Sequence, residues 1–123
     1  MARMILPLAA TAAAALVAAL ALAVPGNAAT PKLVATVGPN ETISLRTAAG
    51  APVRNLRAGI YTITVRDRSG EHNFRISGPG VSKATGVGST GTVTWKVKLA
   101  RGKAYRFVCD PHSDEMRGAF RTR

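Results

Sequence analysis

Hydrophobic and polar residues alternate in a series of short stretches along this chain. The clearest runs from Gly91 to Leu99, where Val93, Trp95, Val97 and Leu99 share one side and Thr92, Thr94, Lys96 and Lys98 the other. A period of two is the signature of a half-buried antiparallel strand. Gly59 to Arg66 alternates in the same way, with Tyr61, Ile63 and Val65 set against Thr62, Thr64 and Arg66. Shorter strands are predicted at Leu33–Val37, around Ile43 and Leu45, at Asn73–Ser77, at Lys103–Cys109 and at Gly118–Thr122. Between them lie Gly38-Pro39-Asn40, the stretch from Ala48 to Pro52, Asp67 to Gly70, Gly78-Pro79-Gly80 and Ala100-Arg101-Gly102, all rich in turn formers. Val53 to Ala58 reads as a connection. No segment after residue 28 has helical periodicity, and no repeat or low-complexity tract interrupts it. Many short strands at regular spacing predict an all-β sandwich or barrel of about seven to eight strands.

The N-terminal segment follows a different pattern. Arg3 is followed by a run from Ile5 to Val24 with no charged residue, made almost wholly of Ala, Leu and Val. Pro25 and Gly26 break the run, and Gly26-Asn27-Ala28 places small residues where a signal peptidase cuts. Residues 1–28 therefore read as a secretory signal cleaved after Ala28. An uncleaved anchor is the alternative, because about 20 apolar residues can span a bilayer; the predominance of Ala over Leu speaks against it. With no Cys near the cut, a lipoprotein anchor is not expected. Residues 29–123 are then one exported domain, destined for a periplasm, a cell wall or the extracellular space, and of a size to bury one modest core.

Charge sharpens the picture. The full chain carries 17 basic and 6 acidic residues, a net +11, and loss of the signal removes only Arg3 from that balance. Such a surface attracts anionic partners: acidic proteins, wall polymers or lipid headgroups, so membrane or wall association is open. Nucleic acid is not expected, because aromatic residues are few and the basic residues are scattered along strands rather than gathered on one helix. Simple solubility is the plainer explanation of the charge.

The chain has one cysteine. Exported proteins usually pair their cysteines, so Cys109 calls for an explanation. It could pair with another chain, fill space as a small hydrophobe, act as a nucleophile or bind metal. His112 follows three residues later and Met116 four after that, while His72, the other histidine, lies at a turn far upstream. One thiolate, two imidazoles and a thioether form a soft to borderline set that suits copper in both Cu(I) and Cu(II), with the two His and the Cys trigonal and the Met a long axial ligand. Zinc accepts the same Cys and His, but thioether is a poor zinc ligand. Cys109 activated by His112 is the enzymatic alternative; a domain this small, with no orienting group or oxyanion hole in evidence, speaks against an enzyme.

His72-Asn73-Phe74 and the run Tyr105-Arg106-Phe107-Val108-Cys109-Asp110-Pro111-His112, followed by Met116 and Gly118, resemble the plastocyanin- and amicyanin-like small blue-copper proteins of the cupredoxins. The resemblance covers Gly59 to Phe120. It implies a Greek-key β-sandwich, one copper ion held by His72, Cys109, His112 and Met116, and a supporting role for Asn73 in tying its strand to the Cys109 loop. It also implies single-electron transfer to a redox partner through the exposed edge of His112, and a monomer is expected. The spacing from His112 to Met116 is intermediate between those common in amicyanins and in plastocyanins, and the acidic docking patch of plant plastocyanins is absent.

Two other functions stay open beside electron transfer: copper storage or delivery without redox traffic, and an interaction module that kept the fold. An axial Met with one Cys favours the electron carrier. Asp110, Asp114 and Glu115 form a small acidic group in the ligand loop, read as solvated charge or as a docking mark around His112.

Overall fold

The computed structural model describes residues 11–15 and 29–123. The rest of the segment read as a signal lies outside the described residues. From Lys32 to Thr122 the chain forms a two-layer β-sandwich of nine strands: β1 (Lys32–Val37), β2 (Ile43–Thr47), β3 (Asn55–Leu56), β4 (Gly59–Asp67), β5 (Arg75–Gly78), β6 (Val81–Ala84), β7 (Gly91–Leu99), β8 (Ala104–Val108) and β9 (Arg117–Thr122). One sheet has the order β2-β1-β4-β7 and the other β3-β9-β8-β5-β6. β1 runs parallel to β4 and β3 parallel to β9; the remaining pairs are antiparallel.

Alternation decides which side of each strand is buried. Tyr61, Ile63 and Val65 of β4 turn inward with Leu33, Ala35 and Val37 of β1, because parallel pairing sets Leu33 beside Ile63 and Ala35 beside Val65. Tyr105, Phe107 and Phe120 fill the facing sheet. Tyr105 and Phe120 stack at 5.4 Å, and Phe74 and Phe107 at 5.7 Å, in the separation range where aromatic pairs attract. Tyr105 keeps its hydroxyl satisfied by accepting from the Ala100 amide at 2.8 Å and donating to the Pro79 carbonyl at 3.1 Å. Among the described residues, the buried core runs from Leu33 to Phe120.

Three local readings differ from the sequence expectation. The connection Val53–Ala58 contains β3, two residues that join the far edge of a sheet. β6 carries one buried residue, Val81, and three exposed ones, so it has no alternation to reveal it. These two short strands raise the count to nine. Trp95 is only partly buried and Val93 is 43% exposed, although both share a side with buried Val97 and Leu99. β7 is the edge of its sheet, and β6, the strand nearest it in the other layer, has only four residues. The first half of β7 therefore projects past its cover.

Strand direction sorts the loops onto two ends. The β1–β2 turn, the β4–β5 loop and the β8–β9 loop gather at one end, which holds His72, Cys109, His112 and Met116. The β7–β8 turn, the start of β4 and the end of β9 form the opposite end.

Candidate metal centre

The upstream loop begins where β4 ends at Asp67. The buried Asp67 carboxylate accepts from the Ser69 amide at 3.2 Å and from the Thr85 hydroxyl at 3.0 Å. Thr85 in turn accepts from the Phe74 amide at 2.9 Å, and its own amide donates to the Phe74 carbonyl at 3.0 Å. These bonds hold both flanks of His72, which is 3% exposed.

The downstream loop leaves β8 at Val108. Cys109 is a free, fully buried cysteine. Asp110–His112 form one 3-10 turn with Pro111 inside it, where a missing amide hydrogen costs nothing. The His112 amide donates to the Cys109 carbonyl at 3.1 Å, and the Met116 amide to the His112 carbonyl at 2.8 Å. The Cys109 amide donates to the Met116 carbonyl at 2.9 Å, which closes the loop. Met116 is 1% exposed and belongs to the same buried cluster as Cys109.

The loops bring three donor atoms together. His72 Nδ1 and His112 Nδ1 are 3.1 Å apart, and each is 3.7 Å from Cys109 Sγ. A triangle with those sides contains a point about 2.0 Å from each nitrogen and about 2.1 Å from the sulfur, within about 0.2 Å of the bonds that imidazole and thiolate make to a first-row metal ion. Both histidines present Nδ1, so each would carry its ring proton on Nε2. The rings meet nearly edge-on, with centroids 4.7 Å apart and planes at 71°. The set of one sulfur and two nitrogens is chemically suited to copper or zinc.

Asn73 stands directly behind this triangle. Its backbone amide donates to Cys109 Sγ at 3.5 Å. Its side-chain amide donates to Asp110 Oδ2 at 2.8 Å and to the Thr85 carbonyl at 3.2 Å, while its side-chain oxygen accepts from the Asp110 amide at 2.7 Å. One buried side chain thus joins the two loops and fixes Cys109 between them.

Sequence reasoning did not single out Asp67, Thr85, Arg75 or Glu41. Arg75 donates from Nε and Nη2 to the two Asp110 oxygens at 2.8 and 2.9 Å. The hydrogen bond from Arg75 holds the Asp110 carboxyl below its ordinary range; partial burial opposes the shift, and the Asn73 hydrogen bond and the Arg75 charge add to it. The same contact raises Arg75. Asp110 is thus tied to Arg75 and Asn73 although it is itself exposed, as Asp114 and Glu115 are. Glu41 Oε1, from the β1–β2 turn, lies 3.8 Å from His112 Nε2. The His112 side chain is 31% exposed, which makes it the triangle's opening to solvent. Partners such as Arg75 and Asp110, 35 positions apart, leave no local trace; only the turn read at Asp67 to Gly70 marked the start of the upstream loop.

No protein-family model matches the sequence, and no curated protein matches it. Solved structures do. Reduced rusticyanin shares the fold with a TM-score of 0.55 at 17% identity, over 75% of this chain and 78% of that one. A second structure of rusticyanin, described as a copper protein, gives 0.54 at 16% identity over 75% and 76%. At such low identity the likeness establishes the fold, an all-β cupredoxin-like sandwich.

Proposed function

We propose that this chain is an exported blue-copper protein that passes single electrons through one copper ion held by His72, Cys109, His112 and Met116. The observation that carries the reading is the triangle of His72 Nδ1, Cys109 Sγ and His112 Nδ1, with sides matched to one metal ion. Bound copper would supply reversible one-electron Cu(I)/Cu(II) chemistry.

The protein's own residues supply rigidity, insulation and access. His72, Cys109 and Met116 are buried in the sandwich end, so water is excluded from three of the four groups. The amide of Asn73 at the sulfur tempers the charge of a thiolate. The hydrogen bonds within the Cys109–Met116 loop limit how far the ligands can move. The edge of His112 is the closest approach for a partner. Burial also favours a carrier over a nucleophilic Cys109 and over a delivery protein. A nucleophilic Cys109 would need a substrate at its sulfur, which is fully covered. A delivery protein would need ligands that an acceptor can reach. Export through residues 1–28, with cleavage after Ala28, belongs to the same proposal and rests on the charge-free Ile5–Val24 run.

The test is a visible spectrum of residues 29–123 with Cu(II), beside Cys109→Ser, followed by voltammetry. The expected result is an intense thiolate-to-copper band, absent from the variant, and a reversible one-electron wave. A colourless protein that binds zinc more tightly than copper, or copper binding that survives loss of Cys109, would overturn the proposal.

A further inference from the structure

All six side-chain carboxylates of this chain lie at the metal end: Glu41 in the β1–β2 turn, Asp67 and Glu71 between β4 and β5, and Asp110, Asp114 and Glu115 around the ligand loop. The opposite end has none. There Arg57, Arg101 and Arg123 line one shallow hollow, and Lys32, Lys98 and Lys103 are exposed at the same end. The nine residues of β4 separate the two ends by about 30 Å. Among the described residues the charge is thus arranged as a dipole along the sandwich rather than as an even coat.

The three arginines are held together by their backbones. The Ala58 amide donates to the Arg123 carbonyl and the Arg123 amide to the Leu56 carbonyl, each at 2.9 Å. The buried Tyr61 hydroxyl donates to the Arg57 carbonyl at 2.7 Å. Thr122 accepts from the Lys103 amide at 2.9 Å through its hydroxyl oxygen and donates through it to the Ala100 carbonyl, which pins the turn bearing Arg101 beside the end of β9. Three like charges repel one another, so a frame that sets them around one hollow favours an anion there. Guanidinium groups match phosphate in shape and hydrogen-bond geometry.

We propose that this basic pole is a seat for the phosphate headgroups of an anionic lipid bilayer, holding the domain with its metal end turned away from the membrane. Two observations select a lipid surface. The hollow is shallow, and exposed Lys32, Lys98 and Lys103 lie at the same end of the sandwich, which suits a plane of headgroups. β1 also starts at this pole, with Pro31 accepting from the Thr62 amide at 3.0 Å, and in the sequence Pro31 follows the apolar run Ile5–Val24 after only a short segment. A segment lodged in or exported across a bilayer delivers this end of the sandwich to the lipid first. The inference rests on charge placement and on where β1 starts, and does not require copper.

Residues 29–123 are tested by co-sedimentation with vesicles of mixed phosphatidylglycerol and phosphatidylcholine, and of phosphatidylcholine alone, at near-physiological salt. Binding is expected only to the mixed vesicles. The triple variant R57Q/R101Q/R123Q should bind at least about tenfold more weakly, since each basic residue at an anionic surface contributes a factor of roughly five. R66Q/R68Q/K83Q removes the same charge from other parts of the surface and should change binding by less than about twofold, with unaltered circular dichroism in both. Equal losses in the two variants would reduce the effect to net charge and overturn the proposal. So would failure to bind the mixed vesicles, or full displacement by millimolar inorganic phosphate, which would mark a site for a small anion instead.

Discussion

Asn73 and Asp110 hydrogen-bond to each other in both directions across 37 positions of sequence. Asn73 Nδ2 donates to the carboxylate and the Asp110 amide donates back to Asn73 Oδ1, so the two metal-bearing loops are clasped through one buried side chain. Asn73→Ala would leave the Asp110 amide and the Thr85 carbonyl without these partners. An unsatisfied buried group costs about 1–3 kcal/mol, so a melting temperature roughly 10 °C lower is expected for a domain of this size. The copper–thiolate band should shift as well, because the Asn73 amide that reaches Cys109 Sγ moves with its loop. A variant that melts lower with an unchanged band would show that Asn73 serves the fold alone.

Acid should loosen the same clasp. The Asp110 carboxyl is held low chiefly by the Arg75 hydrogen bond. A group whose folded value lies below its unfolded one stabilises the fold above the unfolded value, about 3.9 for Asp, and loses that contribution as pH falls through the lowered folded value. Asp110→Asn should therefore be less stable than the native protein at pH 7, with the difference closing below about pH 4. Denaturant unfolding at the two pH values measures it; a difference that does not change with pH would count against the pairing. The pair is partly exposed, so the effect is modest and should shrink in high salt.

Two glycines give the same steric defect at opposite ends. A Cβ on Gly118 would run into the Phe107 ring, and a Cβ on Gly78 into the Tyr105 ring. Each Gly→Ala change should destabilise by about 1–3 kcal/mol, the usual cost of overpacking. Phe107 is two residues from Cys109 on the metal side, and Gly118 faces it across the β8–β9 register. Gly118→Ala should alter the visible spectrum, whereas Gly78→Ala, beside the β5–β6 turn, should leave it intact. Calorimetry and absorption on the two variants check this.

The acidic rim of His112 should steer small redox reagents. Glu41, Asp114 and Glu115 are exposed around the metal end. In E41Q/D114N/E115Q, reaction with a cationic ruthenium hexaammine should slow by roughly tenfold at low ionic strength and that with ferricyanide should speed up, both effects fading as salt is added. Stopped-flow rates that do not respond to the substitutions would reduce these carboxylates to solvated loop charge.

The strands that build the core were legible because burial on one side of a sheet imposes a period of two. Tyr61, Ile63 and Val65, and likewise Tyr105, Phe107 and Cys109, announce their inward side without any knowledge of their neighbours. β3 and β6 were not legible, since a two-residue strand and one with a single buried residue have no period to detect. Val93 looked like core for the complementary reason: alternation shows which side a residue faces, but not whether the opposing sheet extends far enough to cover it.

The metal residues divide along the same line. Cys109, His112 and Met116 sit on one loop, so their chemistry and their closeness could be read together from the sequence. What the sequence alone determined was therefore the all-β class, the inward sides of the long strands and a soft donor set suited to copper. Only the tertiary structure decided that His72 Nδ1 meets the other two donors at separations one metal ion could bridge, that Arg75 pairs with Asp110, and that the six carboxylates share one end while three arginines share the other. The physical reason is that each of these depends on strand order and direction. Pairing β1 parallel to β4 and folding β5 against β8 brings together residues tens of positions apart, and no local pattern of hydrophobic and polar residues encodes that choice.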